Sequence, residues 1–185
     1  MNVLFLMQTY IHINQGSAMN NSLVDQFIAD GHHVTVVASN EGKSATALQM
    51  EAAAEVLRVR TLPLLRVHPI LKGIANLLLG FQYRRAMRRF LPNRRFDLIV
   101  TPTPPITLTY LAERIKKRSG ARIYLVLRDI FPQNAVDIGL MSTKHPMFLI
   151  FRNMEKKLYR IADKIGCMTQ GNINYILQNN PEVSV

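Results

Sequence analysis

An arginine and an aspartate, Arg128 and Asp129, directly follow the apolar run RIYLVL at residues 122–127. Such a run is typical of a buried strand, so the pair is expected at the strand's carboxyl end. A carboxylate in that position can orient a hydroxyl group or accept its proton. A structural ion pair between Asp129 and Arg128 is about as common. The residues alone leave both interpretations open.

Two more loops could line the same site. In the loop at residues 8–17, Gly16 precedes Ser17 at a predicted helix start, where free backbone N–H groups can bind phosphate. Gly16 as a turn and Ser17 as an N-cap explain the pair equally well. His12 could reach a cleft, although a lone loop histidine is more often solvated. The three spaced glycines of a dinucleotide site and the lysine of a P-loop are missing, which argues against both sites.

The loop at residues 101–105 has the sequence TPTPP and is unusually stiff. Each proline fixes its own φ and restricts the residue before it. Rigidity suits one wall of a binding site, with Thr103 in that wall, but prolines also commonly end strands. The third loop, residues 128–139, adds Gln133 to the candidate site residues.

Short apolar runs alternate along the chain with amphipathic stretches. They predict strands at residues 2–7, 34–38, 56–62, 97–101, 122–127 and 164–168. They also predict helices at 70–91 and 172–178, and helices whose apolar faces span 19–28 (ending at Gly31), 108–115 (ending at Ser119-Gly120) and 151–161. This alternation predicts an α/β domain with a Rossmann-like parallel sheet and helices on both faces. Ligands of such a sheet bind beyond the carboxyl ends of the strands, where strand order reverses between the first and fourth strands. The three loops are expected there.

Length and composition limit the classes of protein. The 185 residues suggest one domain, and 48% hydrophobic against 19% charged residues excludes a disordered chain. The single cysteine, Cys167, can form neither an internal disulfide nor a zinc cluster, which fits a reducing compartment. No signal peptide is expected at the amino terminus. The longest uncharged stretch of the apolar middle, residues 73–83, is shorter than the about 20 residues of a spanning helix.

The formal charge of +11 predicts an anionic partner: nucleic acid, anionic lipid or a phosphorylated substrate. Residues 56–96 contain ten basic and no acidic residues. The first part of this region predicts contact with an anionic membrane surface, through Leu64, Leu65, Arg66, Ile70, Leu71 and Lys72. Arginines at 84–95 lie toward the opposite edge and could instead complement the helix dipole. Charge also permits nucleic-acid binding, but no recognised motif supports it.

Three segments of the sequence are distinctive: TPTPPITLTYLAERI at 101–115, YLVLRDIFPQNAVDIGLM at 124–141 and MEKKLYRIADKIGCMTQG at 154–171. They resemble the amino-terminal domain of retaining GT-B glycosyltransferases of family 4. The loop at Gly16-Ser17 and the turn at residues 31–37 also match. Within the family, the segments are most similar to bacterial enzymes that join amino-sugars in capsule, O-antigen or exopolysaccharide assembly.

The resemblance implies a two-domain enzyme that transfers a sugar from a nucleotide-sugar, expected to be UDP-linked, to a lipid-linked saccharide. Residues 1–185 would be the acceptor-side domain, with the donor-binding domain absent, so the isolated chain is expected to be inactive. Asp129 matches a position beside the acceptor hydroxyl, and Gly16 a position near the donor phosphates. The family uses no metal or cofactor.

The resemblance also implies a cytoplasmic protein that is peripheral at the inner face of the cell membrane. We expect no nucleic-acid partner. Two other classes of function stay open at this point. One is a basic Rossmann-like protein that binds membrane or nucleic acid, and the other is a scaffold that works with a separate partner chain.

Overall fold

The computed structural model describes residues 1–10, 19–41, 44–63 and 68–183. The strands are β1 (Asn2–Leu6), β2 (His33–Glu41), β3 (Ala47–Glu51), β4 (Ala54–Thr61), β5 (Leu98–Thr103), β6 (Arg122–Leu127) and β7 (Lys164–Cys167). The α-helices are α1 (Met19–Ala29), α2 (Pro69–Phe90), α3 (Thr109–Ser119), α4 (Gln133–Asp137), α5 (Pro146–Ile161) and α6 (Gln170–Asn179). A 3-10 turn, Ile106–Leu108, precedes α3.

The strands form one sheet in the order β3-β4-β2-β1-β5-β6-β7. Neighbouring strands are parallel, except that β3 and β4 are antiparallel. From β1 the chain moves outward through β2 to β4, and α2 then crosses to β5 on the other side of β1. The strand order therefore reverses between β1 and β5, which are the first and fourth predicted strands. The predicted fold class is confirmed.

Helices cover both faces of the sheet. Leu4 and Leu6 of β1 belong to the apolar cluster that contains α2 and α3, whereas Val3 and Phe5 belong to the cluster that contains α1. Because β1 is buried on both faces, its sequence is continuously apolar rather than alternating. Each such buried Leu or Phe contributes about 1.5–3 kcal/mol. β1 therefore stabilises both layers of the core.

The structure differs from the sequence expectation at β3, an edge strand that the apolar pattern did not predict. Residues 47–51 are only partly buried, so they lack a continuous apolar run. β3 pairs with β4 through a tight turn in which Ala52 has a φ of +52°. Turns with positive φ usually carry glycine or asparagine, and this one has neither. Nothing in the sequence therefore marks the hairpin.

The predicted end of β5 at Thr101 was also wrong, because the strand continues to Thr103. Pro102 and Thr103 pair with Val126 and Leu127 of β6. Pairing between β5 and β1 ends at Val100, so Pro102 has a paired strand on one side only. A proline can occupy such a position because no second neighbour needs its missing N–H. A further difference is α4, which lies inside the predicted loop at residues 128–139.

Candidate functional site

The segment Arg128–Asp129 leaves β6 at the carboxyl edge of the sheet, one strand from the point where strand order reverses. Thr103, at the end of β5, fixes it from one side. The Thr103 hydroxyl is 1% exposed and accepts a hydrogen bond from the backbone N–H of Arg128 at 3.3 Å. It lies 3.4 Å from the carbonyl oxygens of Val126 and Asp129, to either of which it can donate. A buried hydroxyl thus ties the backbone of this segment to β5.

Helix α6 fixes the same segment from the other side. The side-chain amide of Asn172 donates to the carbonyl oxygens of Leu127 at 3.3 Å and Arg128 at 3.5 Å. The Thr169 side chain caps α6 by accepting from the backbone N–H of Asn172 at 3.2 Å. The sequence analysis did not identify Asn172 as a site residue. The spacing Thr-x-x-Asn at a helix start was the available signal.

The side chains of Arg128 and Asp129 are exposed on this fixed backbone. Within the described part of the chain, neither side chain has a hydrogen bond or an ion pair. The neutralised ion pair, which the sequence left as an alternative, is thus not formed. An open carboxylate held by two backbone anchors can accept a hydrogen bond from a ligand hydroxyl.

Gln133 lies in the same connection, but its side chain is engaged within α4. Its amide N–H donates to Asp137 Oδ1 at 2.8 Å, an i to i+4 pair on the helix surface. Phe131 packs edge-on against Phe151 of α5 with ring centroids 5.1 Å apart, which holds the start of the connection to the core. The structure therefore brings Thr103, Arg128 and Asp129 together and gives Gln133 a partner of its own.

A second network at the same edge supports the segment that follows β1. Arg58 of β4 is 5% exposed and forms a bidentate ion pair with Glu51 of β3 at 2.8 and 2.6 Å. It also donates a hydrogen bond to the Tyr10 carbonyl oxygen at 2.5 Å, and its guanidinium carbon lies 5.2 Å from the centre of the Tyr10 ring. The sequence analysis counted Arg58 among the cations available to a partner. That expectation was wrong, because the guanidinium of Arg58 is buried and paired with Glu51.

The backbone of the same segment is held at two earlier positions. The Tyr83 hydroxyl of α2 donates to the Met7 carbonyl oxygen at 2.9 Å. Burial raises the pKa of Tyr83, so the phenol stays protonated and keeps donating. The Ser39 hydroxyl donates to the Gln8 carbonyl oxygen at 2.7 Å. The backbone of residues 7–10 is therefore fixed by β2, β4 and α2.

Several predicted site residues lie outside the described residues: His12, Gly16, Ser17, Leu64, Leu65 and Arg66. Ile70 lies in α2, but its side chain is likewise outside the description. Leu71 and Lys72, also in α2, are both exposed, Leu71 by 58%. The structure thus describes the later end of the predicted membrane-surface segment.

Residues 1–10, 19–41, 44–63 and 68–183 contain no group of three or more His, Cys, Asp or Glu side chains that could hold a metal ion. Among the helices of these ranges, none combines the length and the hydropathy that crossing a bilayer requires.

Comparison with solved structures defines the class of fold. Sucrose-phosphate synthase from Thermosynechococcus elongatus superposes with a TM-score of 0.66 at 11% identity, covering 97% of this chain and 45% of that one. Arabidopsis thaliana UGT89C1 complexed with UDP gives 0.55 at 12% identity, covering 97% and 48%. At these identities the likeness shows the fold alone, that of a GT-B Rossmann-like domain. The chain spans about half the length of these structures.

Residues 17–181 match the family described as glycosyl transferase 4-like domain. This match covers nearly the whole chain, so the protein belongs to that family. No curated protein sequence matches the chain significantly.

Proposed function

We propose that this chain is the acceptor-side domain of a retaining glycosyltransferase that moves a sugar from a nucleotide-sugar, UDP-linked, to a lipid-linked saccharide. Family membership supports sugar transfer. The structural likeness to a protein complexed with UDP supports a nucleotide-sugar donor. Since the chain spans about half of its structural neighbours, we assign most of the donor site to a second domain.

The observation that carries this proposal is the open carboxylate of Asp129 on a backbone anchored by Thr103 and Asn172. The site lies beside the point of strand reversal, where sheets of this class bind ligands. Asp129 is proposed to accept a hydrogen bond from the acceptor hydroxyl and to orient or deprotonate it. Arg128 lines the acceptor site beside it.

The other cleft residues take the following roles in the proposal. Thr103 is a positioning residue, because its hydroxyl is used by the backbone of the Arg128–Asp129 segment. His12 and Gln133 line the acceptor side, and Gln133 would have to exchange its Asp137 partner for substrate. Gly16 and Ser17 precede α1, so the backbone N–H groups of that helix start would contact the donor phosphates.

The proposed reaction exchanges one bond of the anomeric carbon for another. The acceptor oxygen forms a bond to the anomeric carbon, and the bond from that carbon to the nucleotide diphosphate breaks. The diphosphate leaves with the electron pair from the same face that the acceptor attacks, so the anomeric configuration is kept. The acceptor proton passes to the Asp129 carboxylate where Asp129 acts as the base, and to an oxygen of the departing diphosphate where Asp129 only orients the hydroxyl. Positive groups and helix starts stabilise the developing charge on the diphosphate, and no metal is required.

The proposed setting is the assembly of a bacterial surface polysaccharide at the cytoplasmic face of the cell membrane. Its support is the resemblance of the sequence segments and the exposed Leu71 and Lys72 at the start of α2. The remaining residues of the proposed membrane contact are Leu64, Leu65, Arg66 and Ile70. A lipid-linked acceptor requires the enzyme to work at that surface.

The test is a transfer assay with UDP-sugars and lipid-linked acceptors on the two-domain enzyme that contains this chain. The product should keep the anomeric configuration of the donor, as read by NMR of the new glycosidic linkage. The chain alone should release no UDP. Inversion at the anomeric carbon would refute the retaining mechanism, and sugar transfer by the chain alone would refute its assignment as half of an enzyme.

A further inference from the structure

The outer face of α2 carries an apolar stripe, which we define as Leu71, Ile74, Leu77, Leu78 and Phe81. These side chains are 39% to 62% exposed. Their spacing of three and four residues places them on one side of the helix. The opposite side of α2 packs in the core through Ala75, Leu79, Tyr83, Ala86 and Met87. The helix is therefore apolar toward the core and, over its first half, toward solvent as well.

A groove of about 740 Å³ runs between α2 and α3 beside this stripe. One end is lined by Leu77, Phe81 and Tyr110, and further along the helices the lining becomes cationic with Arg84, Arg114 and Arg118. Arg88 lines a smaller depression that adjoins the cationic end and shares Arg84, Arg114 and Arg118 with the groove. The groove thus combines apolar and cationic ends, as an amphipathic anion requires.

The cations of the groove keep their charge available. Within the described ranges, Arg84, Arg88 and Arg114 have no ion pair or hydrogen bond through their guanidinium groups. Arg118 donates to the carbonyl oxygens of Pro92 at 3.4 Å and Arg94 at 2.8 Å, which leaves its charge unneutralised. Glu113 is the acidic residue of the groove, and its carboxylate is held by Lys117 at 3.0 Å and Lys157 at 2.7 Å. The groove is therefore strongly positive.

We infer that the stripe and the α2–α3 groove together bind the surface of an anionic phospholipid bilayer. Headgroup phosphates contact Arg84, Arg88 and Arg114, while Leu78 and Phe81 insert among the acyl chains. This contact extends well beyond the segment 64–72 and rests on the surface of α2 and α3, not on the transfer reaction. Arg88 also stands in the last turn of α2, where it complements the helix dipole.

Charge and apolar exposure together favour lipid over other polyanions. A nucleic acid would neutralise the arginines but leave the stripe in water, because recognition of nucleic acid uses phosphate contacts and stacking aromatic groups. From Leu71 to Phe81 the stripe extends about 15 Å at 1.5 Å per residue, and a helix lying flat on a bilayer buries such a stripe along its length. Since α2 begins at the carboxyl edge of the sheet, the start of the stripe at Leu71 lies toward the edge that carries the Asp129 site, and the arginines lie toward the other edge.

The first experiment measures co-sedimentation of the chain with phosphatidylglycerol-containing vesicles. The groove variant combines Arg84→Gln, Arg88→Gln and Arg114→Gln. The control variant combines Arg122→Gln, Lys144→Gln and Lys164→Gln, which removes the same charge from exposed positions outside the groove. Each cation near the membrane surface strengthens binding roughly fivefold. The groove variant lacks three such cations, so it should bind the vesicles about a hundredfold more weakly. The control should keep most of the binding, and equal losses in the two variants would overturn the inference.

The second experiment uses the absence of tryptophan from the sequence. In Phe81→Trp the only indole is on the stripe, so its emission should shift to the blue with anionic vesicles and be quenched by brominated lipid. Leu177→Trp, at a 50% exposed position of α6, should show neither effect. An unshifted indole at residue 81 on vesicle-bound protein would refute insertion.

A gel shift with a short DNA duplex completes the test. Binding of the duplex by the groove arginines, with no binding of vesicles, would overturn the inference in favour of nucleic acid. None of these measurements depends on sugar transfer. Lipid binding and the proposed enzymatic function can therefore fail independently.

Discussion

Replacing Thr103 with valine tests whether its buried hydroxyl holds the candidate site in place. The two side chains have nearly the same shape, so the change removes the hydroxyl and leaves the packing. The backbone N–H of Arg128 then loses its partner at 3.3 Å, and the carbonyl oxygens of Val126 and Asp129 lose a donor at 3.4 Å. These contacts are long and the hydroxyl has one proton to donate, so we expect a loss of about 1–2 kcal/mol.

Two measurements should show this effect. The free energy of unfolding in urea should fall by that amount, and hydrogen exchange at the Arg128 amide should become roughly tenfold faster, since about 1.4 kcal/mol corresponds to a factor of ten. In the proposed two-domain enzyme, turnover should fall by about tenfold or more, because a small misplacement of a reacting group is costly. The KM for the nucleotide-sugar should not change, since the substitution is on the proposed acceptor side.

Thr107→Val is the matched control. Thr107 is also buried, four residues along the chain, but its hydroxyl has no hydrogen-bond partner in the described structure. Removing an unsatisfied hydroxyl should leave stability unchanged or raise it slightly. If Thr103→Val is as harmless as Thr107→Val, or if exchange at Arg128 is unaltered, the hydroxyl does not anchor the segment.

Three further substitutions test the supporting contacts by urea unfolding. Asn172→Ala should cost about 1 kcal/mol and speed amide exchange around Arg128; unchanged exchange would contradict its role. Arg58→Leu should cost about 3 kcal/mol or more, because the mostly buried Glu51 loses its bidentate partner; a neutral result would contradict this. Gly166→Ala places a Cβ against the Tyr124 hydroxyl, closer than atoms can approach without a shift of that ring, so it should cost about 1 kcal/mol. In a Tyr124→Ala background, Gly166→Ala should cost nothing further. If it is still destabilising there, the contact with the Tyr124 hydroxyl is not the cause.

The sequence was sufficient to predict at which edge of the sheet the candidate site residues lie. The run at 122–127 is apolar because β6 is largely buried, and β6 begins and ends at the predicted residues. The alternation of elements also predicted the point of strand reversal between β1 and β5. Asp129 could therefore be placed at the correct edge, since only strand direction and strand order were needed.

The contacts within the site could not be predicted from the sequence. Thr103 was expected in a binding wall, but the continuation of β5 past Pro102 places its hydroxyl against the backbone of Arg128. Arg58 was counted as an available cation because its partner, Glu51, lies in the β3–β4 hairpin that has no glycine or asparagine signal. Asn172 acts through a backbone carbonyl of another strand, and a linear pattern does not show such a pairing.

The turnover of Asp129→Asn in the two-domain enzyme tests the central claim most directly. Asp30→Asn is the control, because this exposed carboxylate at the end of α1 pairs with Gln26, at the opposite edge of the sheet. Loss of a group that orients or deprotonates the acceptor should lower kcat by about 10²- to 10⁴-fold, with the fold and the KM for the nucleotide-sugar unchanged. Wild-type turnover by Asp129→Asn would contradict the account and remove Asp129 from the mechanism.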